Sequence, residues 1–296
     1  MLFNNIIFGP VHSRRFGISL GINLIPTTKK ICTFDCIYCE CGWTDDVETQ
    51  HFPPREDVKS MLRQTLEQIS SSGRDNVNNV TSRHCERSEA IQNTEPHWIA
   101  SGYRPRNDGA ERLSSVPDSI TFSGNGEPTL HPDFPAIVDD TIALRNQYFP
   151  SAVITVLSNS TTLDREPVFE ALKKVDNNTM KLDAGTEKTF RQLDRCFNKE
   201  MTLDRITDNL CRFQGDLIIQ TLFLRGRYDG EYIDNTSETE VAAWLNRLKR
   251  IRPRKALLYP IDRATPAKDL EYIARPELEK IAEKVRALNI ETLTFD

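Results

Sequence analysis

The sequence has no long apolar run, and this absence excludes a membrane-spanning helix. None of its hydrophobic stretches approaches the roughly 20 residues needed to cross a bilayer. The N-terminal segment also lacks the basic and apolar regions of a secretory leader, and the mean hydropathy is −0.49. We therefore expect a soluble protein that stays in the cytoplasm and does not associate with a membrane.

The sequence also has no excess of basic residues. Its 38 lysines and arginines stand against 43 aspartates and glutamates, which gives a formal net charge of −5. This balance excludes a general nucleic-acid coat protein, although it leaves room for a local basic site. We expect no general nucleic-acid binding.

Cysteines are few, and most of them are crowded into one short loop. Four of the seven lie within residues 31–42, and Cys32, Cys36 and Cys39 are separated by three and then two residues. One loop with this spacing can wrap a cube of iron and sulfide and leave one iron without a protein ligand. An iron left open in this way is a place for a small molecule. Thiols that stay reduced in the cytoplasm suit such a cluster better than a disulfide framework.

A structural zinc site is the alternative for closely spaced cysteines. Zinc sites favour two separated Cys-x-x-Cys pairs, and no second pair exists here, because Cys85, Cys196 and Cys211 are scattered along the chain. We predict that Cys41 is a non-ligating thiol. A Cys-x-Cys pair rarely places both sulfurs on one cluster without strain, and the proposed chemistry needs one iron to remain open.

The rest of the chain alternates predicted strands and helices. Apolar runs predict strands over 18–26, 119–123, 153–157, 179–182, 216–224 and 255–261, with a short terminal strand over 291–295. Residues 8–17 are predicted to form a loop, and apolar residues at helical spacing predict the first helix over 53–70. The Ser-x-x-Glu pattern from Ser237 to Glu240 predicts a capped helix start. Uninterrupted apolar strands separated by helices specify a parallel sheet with helices outside, which right-handed crossovers curl into a barrel or part of one. In such α/β folds the chemistry lies at the carboxyl ends of the strands. We expect residues 1–296 to form a single domain.

Residues 73–115 interrupt this alternation. The segment is rich in Gly, Asn, Ser and Arg, and neither a period of 2 nor a period of 3.6 persists in it. A stretch of this kind inside a compact domain is a lid, a linker or an insertion. Because this segment joins the first helix to the second strand, we expect it on the face opposite the carboxyl ends of the strands. We predict a low-complexity insertion, disordered or peripheral, in which His84, Cys85 and His97 do not bind a metal.

The cysteine loop resembles the signature of the radical S-adenosylmethionine (radical SAM) superfamily. The cysteine spacing and the aromatic Tyr38 directly before the last cysteine carry this resemblance. It implies a [4Fe-4S] cluster on Cys32, Cys36 and Cys39 and S-adenosyl-L-methionine bound at the open iron. Reductive cleavage of that cofactor would yield a 5′-deoxyadenosyl radical that takes hydrogen from a substrate. The resemblance also implies a partial (β/α)6 TIM-like barrel, and the number of strand-helix units agrees with it.

Other segments resemble a narrower group, the iron-sulfur oxidoreductases related to the wyosine-forming enzymes of tRNA modification. This resemblance rests on residues 9–26, 31–42, 181–185 and 259–263. The wyosine enzymes have further cysteines upstream for a second cluster, whereas no cysteine precedes Cys32 here. Because of this departure, the resemblance does not fix a tRNA base as the substrate, and a small molecule and a protein are the other candidate classes. The resemblance also implies a reducing partner such as flavodoxin or ferredoxin.

Several strand-end residues are candidate cofactor contacts by the same resemblance. Residues 124–128 resemble the Gly-Gly-Glu-Pro motif with one asparagine added, and the motif implies backbone carbonyls that hold the cofactor's amino group. Tyr38 is implied to pack by the adenine, and Ser158 with Asn159 either contacts the methionine carboxylate or ribose or forms a turn or helix cap. The full set is Tyr38, Gly124, Asn125, Gly126, Glu127, Pro128, Ser158, Asn159, Tyr259 and Ile261.

Charged residues near two further strand ends are candidate catalytic or substrate contacts. Lys181 and Asp183 are two positions apart and therefore face the same side of their strand. Inward placement of such a pair would indicate function, and a structural ion pair is the alternative. Arg225 and Arg227 follow the next strand and suit a carboxylate or a phosphate.

Two other function classes fit parts of this pattern. One is an iron-sulfur electron carrier, or a zinc-stabilised binding module, without turnover. The other is an enzyme that activates a glycyl-radical partner protein, although the sequence has no added ferredoxin-like cysteine sets. Cleavage of S-adenosylmethionine separates the enzymes from the electron carrier and the binding module.

Deletion of residues 74–112 should leave cleavage of S-adenosylmethionine nearly unchanged, because a segment of this composition can bury little apolar surface. The measurement is the 5′-deoxyadenosine formed per cluster by the deletion variant and by the full chain. Loss of cleavage in a deletion variant that still folds would overturn the interpretation of this segment as an insertion without function.

Overall fold

The centre of the protein is an eight-stranded sheet, seen in a computed structural model that describes residues 2–44, 51–80 and 116–296, with the backbone alone over 73–80. In spatial order its strands are β1 (Ile7–Ser13), β2 (Gly17–Ile22), β3 (Ser119–Phe122), β4 (Val153–Ser158), β5 (Asn177–Lys181), β6 (Ile218–Phe223), β9 (Lys255–Pro260) and β11 (Glu291–Thr294). A second, three-stranded sheet contains β7 (Arg225–Tyr228), β8 (Glu231–Asp234) and β10 (Asp269–Glu271).

Helices cover the connections between these strands. They are α1 (Arg55–Val80), α2 (Phe134–Tyr148), α3 (Glu166–Leu172), α4 (Glu187–Leu193), α5 (Leu203–Cys211), α6 (Glu238–Ile251) and α7 (Arg275–Arg286). A 3-10 turn, Pro128–Leu130, follows β3. No helix in the described ranges is long and apolar enough to cross a membrane.

All neighbouring strands from β2 to β11 in the large sheet pair in parallel. Every residue of β3 and of β6 is buried, as expected for strands covered on both faces. This arrangement confirms the predicted α/β fold, with parallel strands inside and helices outside, in the manner of a partial TIM barrel. The cysteine loop follows β2 and therefore lies at the carboxyl end of the sheet.

The first strand differs from the sequence prediction, which placed a loop over residues 8–17. In the structure β1 pairs antiparallel with β2 at the edge of the large sheet, and its register shifts between Phe8 and Val11. Gly9 and Pro10 lie at that shift. Glycine and proline are typical of loops, and for this reason the sequence predicts a loop here. A proline is nevertheless tolerated in an edge strand, because its missing N–H removes no hydrogen bond to a neighbouring strand.

The first helix is longer than its predicted span of 53–70. It begins at Arg55 and continues to Val80, through the first part of the segment predicted to be an insertion. Val58, Leu62, Leu66 and Ile69 are buried at helical spacing and form its inner face. Residues 81–115 lie outside the described residues, so the interpretation of that segment stays a prediction.

The start of α6 positions the turn after β5. Ser237 caps this helix by accepting a hydrogen bond from Glu240 N, as the Ser-x-x-Glu pattern predicts. The buried carboxylate of Glu240 accepts a bond from Gly185 N at 3.0 Å. A Cβ at Gly185 would lie 2.3 Å from Glu240 O, so only glycine allows the turn to approach the helix this closely.

Candidate metal and cofactor site

The cysteine loop is hydrogen-bonded to the glycine-rich turn that follows β3. Ile31 N donates to Asn125 O at 3.1 Å, and Ile31 O accepts from Glu127 N at 3.0 Å. Between these two bonds, Ile31 forms a parallel bridge with Gly126, where a Cβ would lie 1.8 Å from Ile31 O. The structure therefore brings together the two motifs that sequence analysis singled out, and Gly126 is what allows their contact.

The same loop is also held by the end of α4. Asp35 N donates to Asp194 O at 3.0 Å, and Ile37 N donates to Leu193 O at 3.1 Å. Ile37 O in turn accepts from Ala267 N at 3.1 Å. These main-chain bonds fix the part of the loop that lies between the first and last predicted ligands.

The three predicted ligands share one buried cation, the ammonium of Lys30. The Lys30 side chain is 2% exposed, and its Nζ donates to Gly42 O at 2.9 Å. Burial alone would lower the pKa of Lys30, but the charges of Cys39, Cys32 and Cys36 outweigh it and raise that pKa. Three thiols that act on one buried ammonium form a single site.

The thiols of this site differ in how readily they ionise. A hydrogen bond from Cys41 lowers the pKa of Cys39 to about 6, with help from Lys30 and against burial. Burial raises the pKa of Cys32 to about 12 and raises that of Cys36 well above its ordinary value. Without a metal, Cys39 is therefore the thiolate of this group near neutral pH.

Cys41 lies against the turn after β3. Its single S–H hydrogen can be donated either to Gly124 O, which lies 3.5 Å from Sγ, or to Cys39. A Cβ at Gly124 would lie 2.2 Å from Asn23 Oδ1, so the turn passes close to neighbouring side chains here and needs glycine. The assignment of Cys41 as a non-ligating thiol stays a prediction.

The donors at this site are thiols, which are the protein ligands of iron-sulfur clusters. In the part of the chain that the structure describes, no group of three Cys, His, Asp or Glu side chains is placed to hold a single metal ion. Thiol donors on one loop, with a buried cation among them, suit a cluster of net negative charge.

Glu127 joins the glycine-rich turn to the end of β4. Its buried carboxylate accepts hydrogen bonds from Thr129 N at 3.2 Å and from Asn159 N at 2.6 Å. The side-chain amide of Asn159 donates to Cys32 Sγ at 3.4 Å and to Thr33 Oγ1 at 2.7 Å. Asn159 therefore contacts a predicted cluster ligand directly.

Three further candidate cofactor contacts have their described polar groups engaged within the protein. The fully buried Asn125 side chain donates to Phe3 O at 2.9 Å and to Pro26 O at 3.0 Å. Ser158 Oγ accepts from Ser160 N at 3.1 Å, which is the turn contact that the sequence left as an alternative. Pro128 begins the 3-10 turn. Asn125, the residue added to the glycine-rich motif, thus holds the N-terminal segment of the chain through its hydrogen bond to Phe3.

Lys181 and Asp183 face inward and form a buried network with the cysteine loop. Lys181 Nζ pairs with Asp183 and lies 3.4 Å from an Asp194 oxygen and 4.4 Å from the centre of the Tyr38 ring. Tyr38 donates its hydroxyl hydrogen to Asp183, and Cys36 Sγ donates to Asp194 Oδ1 at 3.5 Å. The inward placement is the arrangement that sequence analysis associated with function.

The network holds one cation and two carboxyl groups. Burial lowers the pKa of Lys181, but Asp183, Cys36 and Asp194 outweigh it, so the amine stays protonated. Burial raises the pKa of Asp194 to about 7, against the attraction of Lys181. Burial also raises the pKa of Asp183, against the attraction of Lys181, so burial favours the protonated form of both carboxyl groups.

The turn between β1 and β2 also reaches this region. Arg15 donates to Gln220 Oε1 at 3.1 Å, and its guanidinium lies 4.8 Å from the centre of the Tyr259 ring. Burial, together with the nearby Asp183, raises the pKa of Tyr259. Ile261 is half-buried and packs against the core.

Arg225 and Arg227 lie apart from this network, on β7 of the small sheet. Arg225 pairs with Glu277 and donates to Thr236 Oγ1 at 3.1 Å. Arg227 is exposed, with its guanidinium 5.9 Å from the centre of the Tyr232 ring. Their role as substrate contacts stays a prediction.

Comparison with known sequences gives distant relatives. No family model matches the chain. A UPF0026 protein of Methanocaldococcus jannaschii is 29% identical over 291 residues, which cover 96% of this chain and 71% of that protein. A UPF0026 protein of Helicobacter pylori is 30% identical over 228 residues, 76% of this chain and 58% of that protein.

Comparison with solved structures identifies the fold. TYW1 with a lysine-pyruvate adduct bound aligns with a TM-score of 0.55 and 16% identity, over 91% of this chain and 73% of that one. A radical SAM methyltransferase from Sphaerobacter thermophilus aligns at 0.56 and 13%, over 94% and 65%. Streptococcus suis SuiB bound to S-adenosylmethionine aligns at 0.56 and 13%, over 90% and 49%.

The chain shares its fold with these radical SAM enzymes. The fold that the cysteine spacing implied by resemblance is therefore confirmed.

Three charged residues of this radical SAM fold escaped sequence analysis. Lys30 precedes the cysteine loop without any periodic signal, and Asp194 follows a helix instead of a strand. Arg15 lies within the segment 9–26, which carried part of the resemblance, but the sequence assigned it no contact. Arg15 and Asp194 reach this region through contacts with residues far away in sequence, whereas Lys30 contacts the adjoining cysteine loop.

In the metal-free protein, Cys39 should be the first thiol of the cysteine loop to be alkylated. Its reaction with iodoacetamide should rise with a midpoint near pH 6, because its pKa is about 6, whereas Cys32, with a pKa of about 12, should stay unreactive at neutral pH. Cys41→Ala removes the largest cause of the lowered pKa and should move the midpoint upward. Mass spectrometry of the labelled peptides measures both effects, and an unchanged midpoint in the variant would contradict the role of the Cys41 hydrogen bond.

Proposed function

We propose that this protein is a radical SAM enzyme whose cluster is held by Cys32, Cys36 and Cys39. The observation that carries the proposal is the bridge between the cysteine loop and the glycine-rich turn, at the carboxyl ends of β2 and β3. When bound, a [4Fe-4S] cluster supplies the electron that cleaves S-adenosyl-L-methionine to a 5′-deoxyadenosyl radical, which takes hydrogen from the substrate. We propose an oxidoreductase of the cytoplasm, where thiols stay reduced.

The residues around the loop would hold the cluster and the cofactor. Asn159 orients Cys32 through its amide, and Glu127 in turn fixes Asn159. Because Gly124 and Gly126 have no Cβ atom, the backbone of the turn can lie close to its neighbours. The Gly124 carbonyl is a candidate acceptor for the cofactor's amino group. By resemblance, Tyr259 and Ile261 would contact the adenine.

The buried network of Lys181, Asp183 and Asp194 is the proposed substrate end of the site. A buried ion pair rarely improves stability over apolar packing, so its placement beside Tyr38 and the loop supports a functional role. Lys181 stays protonated and can hold an acceptor group of a substrate. The carboxyl group of Asp194, with a pKa of about 7, can give or accept a proton near neutral pH.

The substrate class remains a small molecule, a tRNA base or a protein. One neighbour, Streptococcus suis SuiB bound to the precursor peptide SuiA, aligns with a TM-score of 0.55 and 14% identity over 93% of this chain and 48% of that one. That peptide belongs to SuiB, and it adds a peptide to the classes to be tested here. We propose flavodoxin or ferredoxin as the electron donor.

The decisive experiment is anaerobic. The protein is reconstituted with iron and sulfide, reduced, and given S-adenosylmethionine, and 5′-deoxyadenosine, methionine and the electron paramagnetic resonance of the cluster are measured. A spectrum that shifts with the cofactor, together with accumulation of 5′-deoxyadenosine, would establish the enzyme. Binding of zinc, or a cluster that does not respond to the cofactor, would instead identify a structural site or an electron carrier.

Cys36→Ala should abolish both the cluster and cofactor cleavage, because it removes one of three ligands, whereas Cys41→Ala should leave both intact. Iron content and 5′-deoxyadenosine are measured after identical reconstitution. Cys211→Ala, a thiol on α5 outside the loop, is the matched control. Equal loss in the Cys36 and Cys41 variants would refute the ligand assignment.

A further inference from the structure

Lys30 is a buried cation placed directly among the predicted cluster ligands. Its side chain is 2% exposed, and it forms a hydrogen bond with Cys39. It also interacts electrostatically with Cys32 and Cys36. Among the described residues it forms an ion pair with Asp35, whose Oδ1 lies 3.8 Å from Nζ. The ammonium therefore lies among the sulfurs, the Gly42 carbonyl and the Asp35 carboxylate.

We infer that Lys30 is a positioning residue that sets the reduction potential of the cluster bound by this loop. The inference rests on the proposed function, and it adds to that same site a residue that sets the reduction potential of the cluster. Reduction adds one negative charge to the cluster, and a buried cation at the sulfurs stabilises the reduced form more than the oxidised one. Lys30 would therefore make the cluster easier to reduce, by its charge and by its hydrogen bond to Cys39.

A purely structural role for Lys30 makes a different prediction. The bond from Nζ to Gly42 O, 2.9 Å long, also holds the end of the loop, so its loss could loosen the site without any electrostatic effect. Loosening would lower cluster content in any variant that disturbs the loop. It would not move the potential in opposite directions when charges of opposite sign are removed.

Asp35 supplies the charge of opposite sign. It is buried in the same loop, and its Oδ1 accepts from Thr44 N at 2.8 Å. Asparagine keeps an oxygen for that bond and removes only the negative charge. Asp35→Asn should therefore raise the reduction potential, whereas Lys30→Met should lower it.

The experiment is a potentiometric titration of the reconstituted cluster, followed by electron paramagnetic resonance, without S-adenosylmethionine. Lys30→Met should lower the ratio of reduced to oxidised cluster at a fixed potential by about tenfold, which corresponds to ~59 mV for one electron. Lys30→Arg should retain most of the wild-type potential, and Asp35→Asn should shift it upward. Lys59→Met, at a lysine of α1 paired with Asp140, is the control and should change nothing.

Each outcome decides the inference. A fully loaded Lys30→Met protein with the wild-type potential overturns it, as does a shift of the Lys30 and Asp35 variants in the same direction. If Lys30→Met does not take up a cluster, Asp35→Asn decides alone, and the absence of an upward shift refutes the inference. A wild-type protein that takes up no reducible cluster refutes the proposed function itself, which is a separate result.

Discussion

The site depends on main-chain bonds that hold the cysteine loop at two places. One side of the loop bridges to Gly126 after β3, and the other is bonded to Leu193 and Asp194 after α4. The loop carries four thiols and has no regular secondary structure to stiffen it, so its shape comes from these neighbours. The sheet and α4 therefore determine the shape of the cysteine loop as well as forming part of the core.

Charge balance is the second constraint on this end of the barrel. Two lysines, the buried Lys30 and the largely buried Lys181, lie beside the cysteine loop. Lys30 comes from the chain just before the loop, and Lys181 comes from the end of β5. Burial of an ammonium is costly unless anionic groups accompany it. The sulfurs and carboxylates provide those groups, so the lysines and the thiols make each other's burial tolerable.

The parts of the fold that sequence could predict were those with local signals. The apolar run over 216–224 anticipated β6, and the cysteine spacing anticipated the loop, because both patterns are contained in a few consecutive residues. The strand β1 was missed because Gly9 and Pro10 are typical loop residues. They are accommodated in a strand here only because β1 lies at the sheet edge and its register shifts at these residues. The role of Asn125 depends on Phe3, 122 positions away, and no local pattern carries such a contact.

The shared carboxylate of Glu127 has a consequence for how the molecule can vary. It connects the ends of β3 and β4, and through Asn159 it extends to Cys32, so that this rim of the barrel is one closed frame of hydrogen bonds. Strain introduced at the rim would reach the sulfur ligand through two bonds. In the ranges that the structure describes, the opposite rim has no part in that frame, so a longer or shorter connection there would leave these hydrogen bonds in place.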